Sequence, residues 1–218
     1  MPWFYYLAAF LLKILFRLLT RWQVKGRENT PSEGPILVAS NHLNLADPPL
    51  LGVSLGRKAI FMAKKELFRF KVIGNFVRGL GSFPVHRGQL DKTALHQANQ
   101  TLADGLALIM FPEGTRSRKA RLQRAFPGTA LIAVRNGVPI LPVGITGTEK
   151  IKGVTWILHR PKLVVNIGHP FHLPPVSSKL TKEELNRLTD SIMEHIATLL
   201  PPEYRGYYAE RRTIGHEN

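Results

Sequence analysis

Short apolar runs alternate with segments of helical periodicity along most of this chain. Ile36 to Ser40, Ala59 to Ala63, Phe83 to Arg87, Leu106 to Pro112, Ile140 to Ile145 and Lys162 to Ile167 read as strands. Between them, Asp91 to Asp104 places Ala94, Leu95, Ala98 and Leu102 on one helical face and stops at Gly105, and Gly128 to Asn136 is a shorter helix. The last helix is the best marked. Thr181-Lys182-Glu183-Glu184 forms a capping box, Leu180 and Leu185 a hydrophobic staple, and Leu185, Leu188, Ile192, Ile196 and Leu199 a buried stripe that ends at Pro201-Pro202. Such alternation predicts a single α/β domain whose central sheet is largely parallel or mixed and flanked by helices. Its expected span is 26–202, opening with a turn-rich linker from Gly26 to Gly34 before the first strand, with a tail over 203–218 bound to the surface or mobile.

Residues 1–25 follow a different pattern. Trp3 to Leu12 is strongly apolar, and Lys13, Arg17 and Arg21 then recur at steps of four, which drift only about 40° each on a helix and make one basic stripe. The uncharged run falls short of the roughly 20 residues a bilayer span needs, so the pattern predicts an amphipathic helix lying in a membrane interface. A helix docked on the protein's own core and a tilted span with snorkelling bases are the alternatives. A signal peptide does not fit, because its basic region would precede the apolar core.

Composition sharpens this reading. The 218 residues include 44% hydrophobic and 21% charged positions, enough for one cored domain and unlike a disordered chain. The absence of Cys excludes disulfides, thiolate metal sites and a cysteine nucleophile, and it suits a reducing compartment. A formal charge of +15 calls for a polyanionic partner: an anionic membrane surface, nucleic acid, or an acidic carrier protein and phosphorylated substrate. The bases carry no recognisable nucleic-acid motif and no interleaved aromatic pattern, so nucleic acid is set aside.

Chemistry concentrates just past the strands. After Ile36-Leu37-Val38-Ala39 comes Asn41-His42-Leu43-Asn44-Leu45-Ala46-Asp47, with an imidazole and a carboxylate five positions apart. A neutral His can take a hydroxyl proton near pH 7, and a carboxylate on its other nitrogen fixes the tautomer and steadies the imidazolium. On a continuous helix five residues advance about 500°, so the pair cannot meet unless the chain curls, and Asp47-Pro48-Pro49 reads as a helix cap followed by a helix start. The alternative is a packed histidine and a simple cap.

A second motif, Phe111-Pro112-Glu113-Gly114-Thr115-Arg116-Ser117, follows another buried strand, and polar loops leaving neighbouring strands of an open α/β sheet converge. Arg116 offers a forked donor suited to phosphate, with Thr115 beside it, and Gly114 permits close backbone approach. Glu113 either contributes to the site directly or holds the turn by accepting backbone amides. Gly81 to Gly88 ends a strand at Arg87, and Lys64 and Lys65 follow Ala59 to Ala63, so both add positive charge at the same rim or are solvated surface charges. The remaining histidines, among them His86, His96, His159, His169, His172 and His195, lack ligand spacing, and no metal site is expected.

Together these residues resemble the glycerolipid acyltransferase family, which includes the 1-acyl-glycerol-3-phosphate acyltransferases. Four blocks stand in the family's order between about Val24 and Phe171: Asn41-His42 with Asp47, Gly81 to Arg87, Phe111 to Ser117, and Val138-Pro139-Ile140-Leu141-Pro142-Val143. Asn44 stands where Ser is frequent, and His86 where an acidic residue is common. The resemblance implies that His42, oriented by Asp47, deprotonates the sn-2 hydroxyl of a lysophosphatidate, which attacks an acyl thioester of coenzyme A or acyl carrier protein to give phosphatidate. It implies that Arg87 and Arg116 hold the acceptor's phosphate and that Glu113 and Gly114 shape the pocket, with the fourth block supporting the acyl or acceptor site, while Thr115 and Lys65 join the expected substrate-binding residues by their placement. It implies no bound cofactor and places the enzyme on the cytoplasmic face of a membrane, where a lysophospholipid acceptor resides. Another acceptor, such as glycerol 3-phosphate or a different lysophospholipid, and a non-catalytic module binding anionic lipid are the rival readings.

Overall fold

A computed structural model describes residues 2–69, 71–85, 91–175 and 180–209. All six expected strands form, joined by one more, in a seven-stranded mixed sheet. The strands are β1 (Arg21–Lys25), β2 (Ile36–Ser40), β3 (Ala59–Lys64), β4 (Phe83–Val85), β5 (Ala107–Met110), β6 (Ile140–Thr146) and β7 (Lys162–Ile167), in the spatial order β1-β7-β6-β2-β5-β3-β4. Strands β2 to β6 run parallel, β7 is antiparallel to β6, and β1 pairs parallel with β7.

Helices cover both faces. On one lie α1 (Pro2–Leu19), α2 (Asp47–Ser54) and α3 (Lys71–Gly79), and on the other α4 (Lys92–Ala103), α5 (Gly128–Asn136) and α7 (Lys182–Thr198), while the short α6 (Trp156–His159) sits in the β6–β7 connection. Alternation along β2 serves both layers: Ile36 and Val38 join the first core, Leu37 and Ala39 the second, and all are fully buried. Truncating Ile36 or Leu37 to Ala costs about 2–5 kcal/mol.

The last helix has the expected capping box, with Thr181 Oγ1 accepting from the Glu184 amide and the Glu184 carboxylate accepting from the Thr181 amide. The N-terminal region departs from expectation. The helix stops at Leu19, and Arg21–Lys25 is an edge strand rather than part of it, so the basic stripe on α1 reduces to Lys13 and Arg17. Its polar positions Arg21, Gln23 and Lys25 face solvent, which hid a half-covered strand inside an amphipathic pattern. α1 also docks on the domain, burying Tyr5, Ala8 and Phe16 against α2 and the sheet, with the Tyr5 hydroxyl accepting from the Ala59 amide at 3.1 Å. No helix among the described residues is long and apolar enough to cross a membrane.

The described part of the expected tail, residues 203–209, packs on the domain. Leu122 N–H donates to Tyr204 O at 2.8 Å, Tyr207 N–H donates to Leu122 O at 3.0 Å, and Tyr208 is buried, so residues 202–209 belong to the domain. At the edge of the sheet away from the two polar motifs, Arg57 ties the loops together by donating to Pro31 O, Gly34 O and Gly105 O at 2.7–2.9 Å.

Candidate active site

The site forms where β2 and β5, neighbours in the sheet, release their chains at the same edge. Asn41 lets β2 end without opening the sheet. Its side chain imitates a strand residue, donating from Nδ2 to Ile145 O at 2.8 Å and accepting at Oδ1 from the Ile145 amide at 2.7 Å. The fourth sequence block, Val138 to Val143, runs into strand β6 beside β2, and the clamp itself falls at Ile145, two residues beyond that block in the same strand.

The next residue is held by both motifs. The His42 amide donates to Glu113 Oε1 at 3.0 Å, and its carbonyl accepts from the Ser117 amide at 2.8 Å. Its Nδ1 lies 2.8 Å from Asp47 Oδ2, and the amides of Leu43 and Asn44 donate to that same oxygen, each at 2.6 Å. An oxygen that receives two amide protons and belongs to a carboxylate is an acceptor, so the network assigns the proton to Nδ1 and leaves the Nε2 lone pair available. Phe111 stacks on the imidazole with centroids 4.2 Å apart and planes at 24°. The ring is thus fixed at one nitrogen and on one face.

Asp47 does not cap its own helix. Ala46 occupies the N-cap without a side-chain bond, and Asp47 is the first residue of α2, turned back over the preceding loop. That arrangement produces the required curl: the carboxylate gathers two loop amides and the imidazole at once. Asn44 reinforces it, accepting from the Ala46 amide at Oδ1 and donating to Ile151 O, both at 3.0 Å.

Of the two readings of Glu113, the structure has the one that holds the turn. The residue is 1% exposed, and its other oxygen accepts from Gln123 N at 3.0 Å and Gln123 Nε2 at 3.3 Å. Burial pushes its carboxyl up to about 7, against the hydrogen bonds from His42 and Gln123, with the nearby Asp47 charge adding to the rise. Both oxygens accept from protein N–H groups, and Glu113 thereby ties the His42 backbone to the turn at Gln123. Gly114 has φ of 65°, a backbone conformation that favours glycine, and a Cβ there would press on the Phe126 ring at 3.0 Å.

Thr115 and Arg116 are exposed and line an open cleft with Arg118, Lys119 and Arg121. Ser117 shapes this loop, its Oγ donating to Arg121 O at 2.6 Å and accepting from the Arg121 amide at 3.1 Å. Lys65 is exposed just past β3, which only β5 separates from β2, so it leaves the sheet roughly 10 Å from the His42 strand at the same edge. Arg87 and His86 lie outside the described residues. Among the described residues no group of three or more His, Cys, Asp or Glu is arranged to hold a metal ion. His195 instead stacks on Phe171 at 3.8 Å and binds Ser191 O.

Sequence reasoning named the imidazole, the carboxylate and the second motif, and the structure joins them. It missed three supports: the Asn41 clamp, the Phe111 stack and Gln123. Asn41 and Phe111 sit within the motifs, but their partners Ile145 and His42 are distant in sequence, and nothing near Gln123 marks it.

Residues 21–146 match the model of the Acyltransferase family. A protein of Bacillus subtilis named 1-acyl-sn-glycerol-3-phosphate acyltransferase is 30% identical over 197 residues, covering 89% of this chain and 96% of that one. A chloroplastic 1-acyl-sn-glycerol-3-phosphate acyltransferase of Brassica napus is 34% identical over 78% of this chain, which spans half of that longer protein. Among solved structures, the 1-acyl-sn-glycerophosphate (LPA) acyltransferase PlsC from Thermotoga maritima superposes with a TM-score of 0.66 at 29% identity, covering 86% of this chain and 76% of that one. The matched segment contains the His42–Asp47 loop, the Glu113 loop and strand β6 that supports them, and the chain belongs to the Acyltransferase family as an O-acyltransferase.

Proposed function

We propose that this enzyme transfers a fatty acyl group from a thioester of coenzyme A or acyl carrier protein to the sn-2 hydroxyl of 1-acyl-glycerol-3-phosphate, forming phosphatidate. The observation that carries the mechanism is the 2.8 Å contact between His42 Nδ1 and Asp47 Oδ2, which leaves Nε2 as the ring's basic nitrogen. The names of the relatives point to the acceptor.

His42 Nε2 takes the proton of the acceptor hydroxyl as that oxygen bonds to the thioester carbonyl carbon. The buried Asp47 carboxylate offsets the imidazolium charge. Collapse of the tetrahedral intermediate breaks the carbon–sulfur bond, and the leaving thiolate receives the proton from the imidazolium. Arg116 and Thr115 face the acceptor's phosphate from the open cleft, with Lys65 contributing charge at the rim, and the expected role of Arg87 rests on its sequence motif alone. General-base help supplies about 10²–10⁴-fold, so much of the acceleration comes from holding donor and acceptor together. The chain needs no bound cofactor or metal for these steps.

Because the acceptor is a membrane lipid, the enzyme works on the cytoplasmic surface of an anionic bilayer, held peripherally by α1. Trp3, Tyr6, Phe10 and Leu18 are 59–65% exposed on that helix and suit an interface. An acidic acyl carrier protein would meet the same positive field.

The test supplies purified enzyme with a radiolabelled acyl thioester and lysophosphatidate, glycerol 3-phosphate, lysophosphatidylcholine or monoacylglycerol in turn, on vesicles. Phosphatidate from lysophosphatidate, with little product from the phosphate-free monoacylglycerol, is the expected outcome. Faster acylation of glycerol 3-phosphate or lysophosphatidylcholine would replace the proposed acceptor.

A further inference from the structure

The two most exposed large apolar side chains among the described residues lie outside α1. They are Leu158, 84% exposed, and Val154, 80% exposed, and both belong to the β6–β7 connection, whose Ile157 is also exposed. Water-facing Leu and Val on so short a loop are an unfavourable use of apolar surface unless another apolar phase covers them.

The topology carries this loop to the catalytic edge. β6 ends there beside Asn41, and β7 and β1 begin there, with Arg21 paired to Lys162. One side of the loop is tied to the catalytic turn, since Asn44 Nδ2 donates to Ile151 O at 3.0 Å. The other side is tied to the end of α1: Arg160 Nη2 donates to Arg17 O and Arg21 Nε donates to Arg160 O, each at 3.1 Å. Gly147, at φ 91°, allows the entry, where a Cβ would collide with Lys162 O.

Charge identifies what covers the apolar tip. Arg21, Lys150, Lys152, His159 and Lys162 line one cleft with Trp156 at the base of the loop. No Asp or Glu occurs from 150 to 162, and the neighbouring Glu149 is turned inward, accepting from the Gly147 amide and the Tyr204 hydroxyl. An apolar tip over a basic collar matches hydrocarbon beneath anionic phosphate headgroups. Its continuity with the exposed apolar face of α1, where Leu18 is 65% exposed, makes the occupant a bilayer rather than a second protein.

We infer that the β6–β7 loop is a second bilayer contact, inserting Val154, Ile157 and Leu158 while its basic collar holds lipid phosphates. With α1 it sets the catalytic edge toward the membrane, the edge at which the turn between His42 and Asp47 leaves Leu45 56% exposed. The inference rests on the proposed bilayer association of α1 but assigns a separate element to it.

The chain contains no Cys, so single cysteines introduced as Leu158→Cys, Leu7→Cys and Glu183→Cys accept an environment-sensitive fluorophore at one place each. The test adds phosphatidylcholine vesicles with and without phosphatidylglycerol to the full chain. The label at 158 should shift to the blue and be quenched by doxyl-labelled lipid on the anionic vesicles, as should the label at 7 in α1, while 183 on the outer side of α7 should not respond. A response at 7 with none at 158 overturns the loop contact and leaves the α1 reading standing. Silence at both positions overturns the two together. Independently, Val154→Asp with Leu158→Asp should lower partitioning to anionic vesicles about tenfold or more, and Lys150→Ala and Lys152→Ala roughly fivefold each. Unchanged partitioning in variants with wild-type circular dichroism and melting temperature would also overturn the inference.

Discussion

The interior and the mouth of the active site are built by opposite rules. Inside, His42, Asp47 and Glu113 are 0–3% exposed, and each is bound to a specific protein partner. At the mouth, Thr115, Arg116 and Lys65 stand in solvent. A buried polar network strengthens its bonds in a low dielectric but is costly when one member is lost, whereas exposed cations act through a screened field and tolerate loss individually. The interior should therefore determine turnover and local stability, and the mouth should determine how well a phosphorylated acceptor is held.

Substitutions can break this division. His42→Ala should lower kcat by about 10²–10⁴-fold with little change in vesicle binding, as measured by phosphatidate formation at saturating substrate. A comparable loss of membrane binding would show that the interior is not insulated from the surface. Asp47→Asn should have a smaller effect, roughly 10–100-fold. All three donors meet Oδ2, so an amide can keep its carbonyl there and place its NH2 at Oδ1, preserving the tautomer while losing the negative charge. If Asp47→Asn proves as inactive as His42→Ala, the carboxylate does more than stabilise charge.

Glu113→Gln sharpens the comparison through stability. Three N–H groups converge on its two oxygens, so an amide must aim a donor at a donor, at a cost of about 1–3 kcal/mol in urea unfolding. The wild-type carboxyl, raised to about 7, binds a proton more tightly folded than unfolded. Its contribution is therefore fully present below its ordinary value of 4.5 and lost as pH rises through about 7, a change of about 3 kcal/mol that the Gln variant should lack. Parallel stability–pH curves for the two proteins would remove Glu113 from the network. The smallest effect belongs to the mouth: Arg116→Ala should raise KM for the phosphorylated acceptor about tenfold, leave kcat nearly unchanged and reduce the salt dependence of kcat/KM. A fall in kcat instead would move Arg116 into the catalytic interior.

Strands and motifs lay open in the sequence where one local rule governed them. β2, β5 and β6 are buried on both faces and appear as continuous apolar runs, and α7 carries its own start and stop signals. β1 was not visible, because an edge strand with solvent-facing Arg21, Gln23 and Lys25 gives a weak alternation beside a strongly amphipathic helix. Asp before Pro-Pro has the local meaning of a cap, and only the folded loop presents Asp47 with better donors.

By itself the sequence determined the α/β class, the His42 and Asp47 pair proposed here as base and orienter, and the family whose motifs they share, since each depends on residue types at short spacing. Tertiary structure decided which reading of Glu113 holds, that Asn41 completes the sheet across to Ile145, and that the β6–β7 loop stands beside the end of α1. These are contacts between residues 71 to 143 positions apart. Hydrophobic pattern specifies which face of an element is buried, but the partner it meets depends on strand order and register, which emerge only when the whole chain packs.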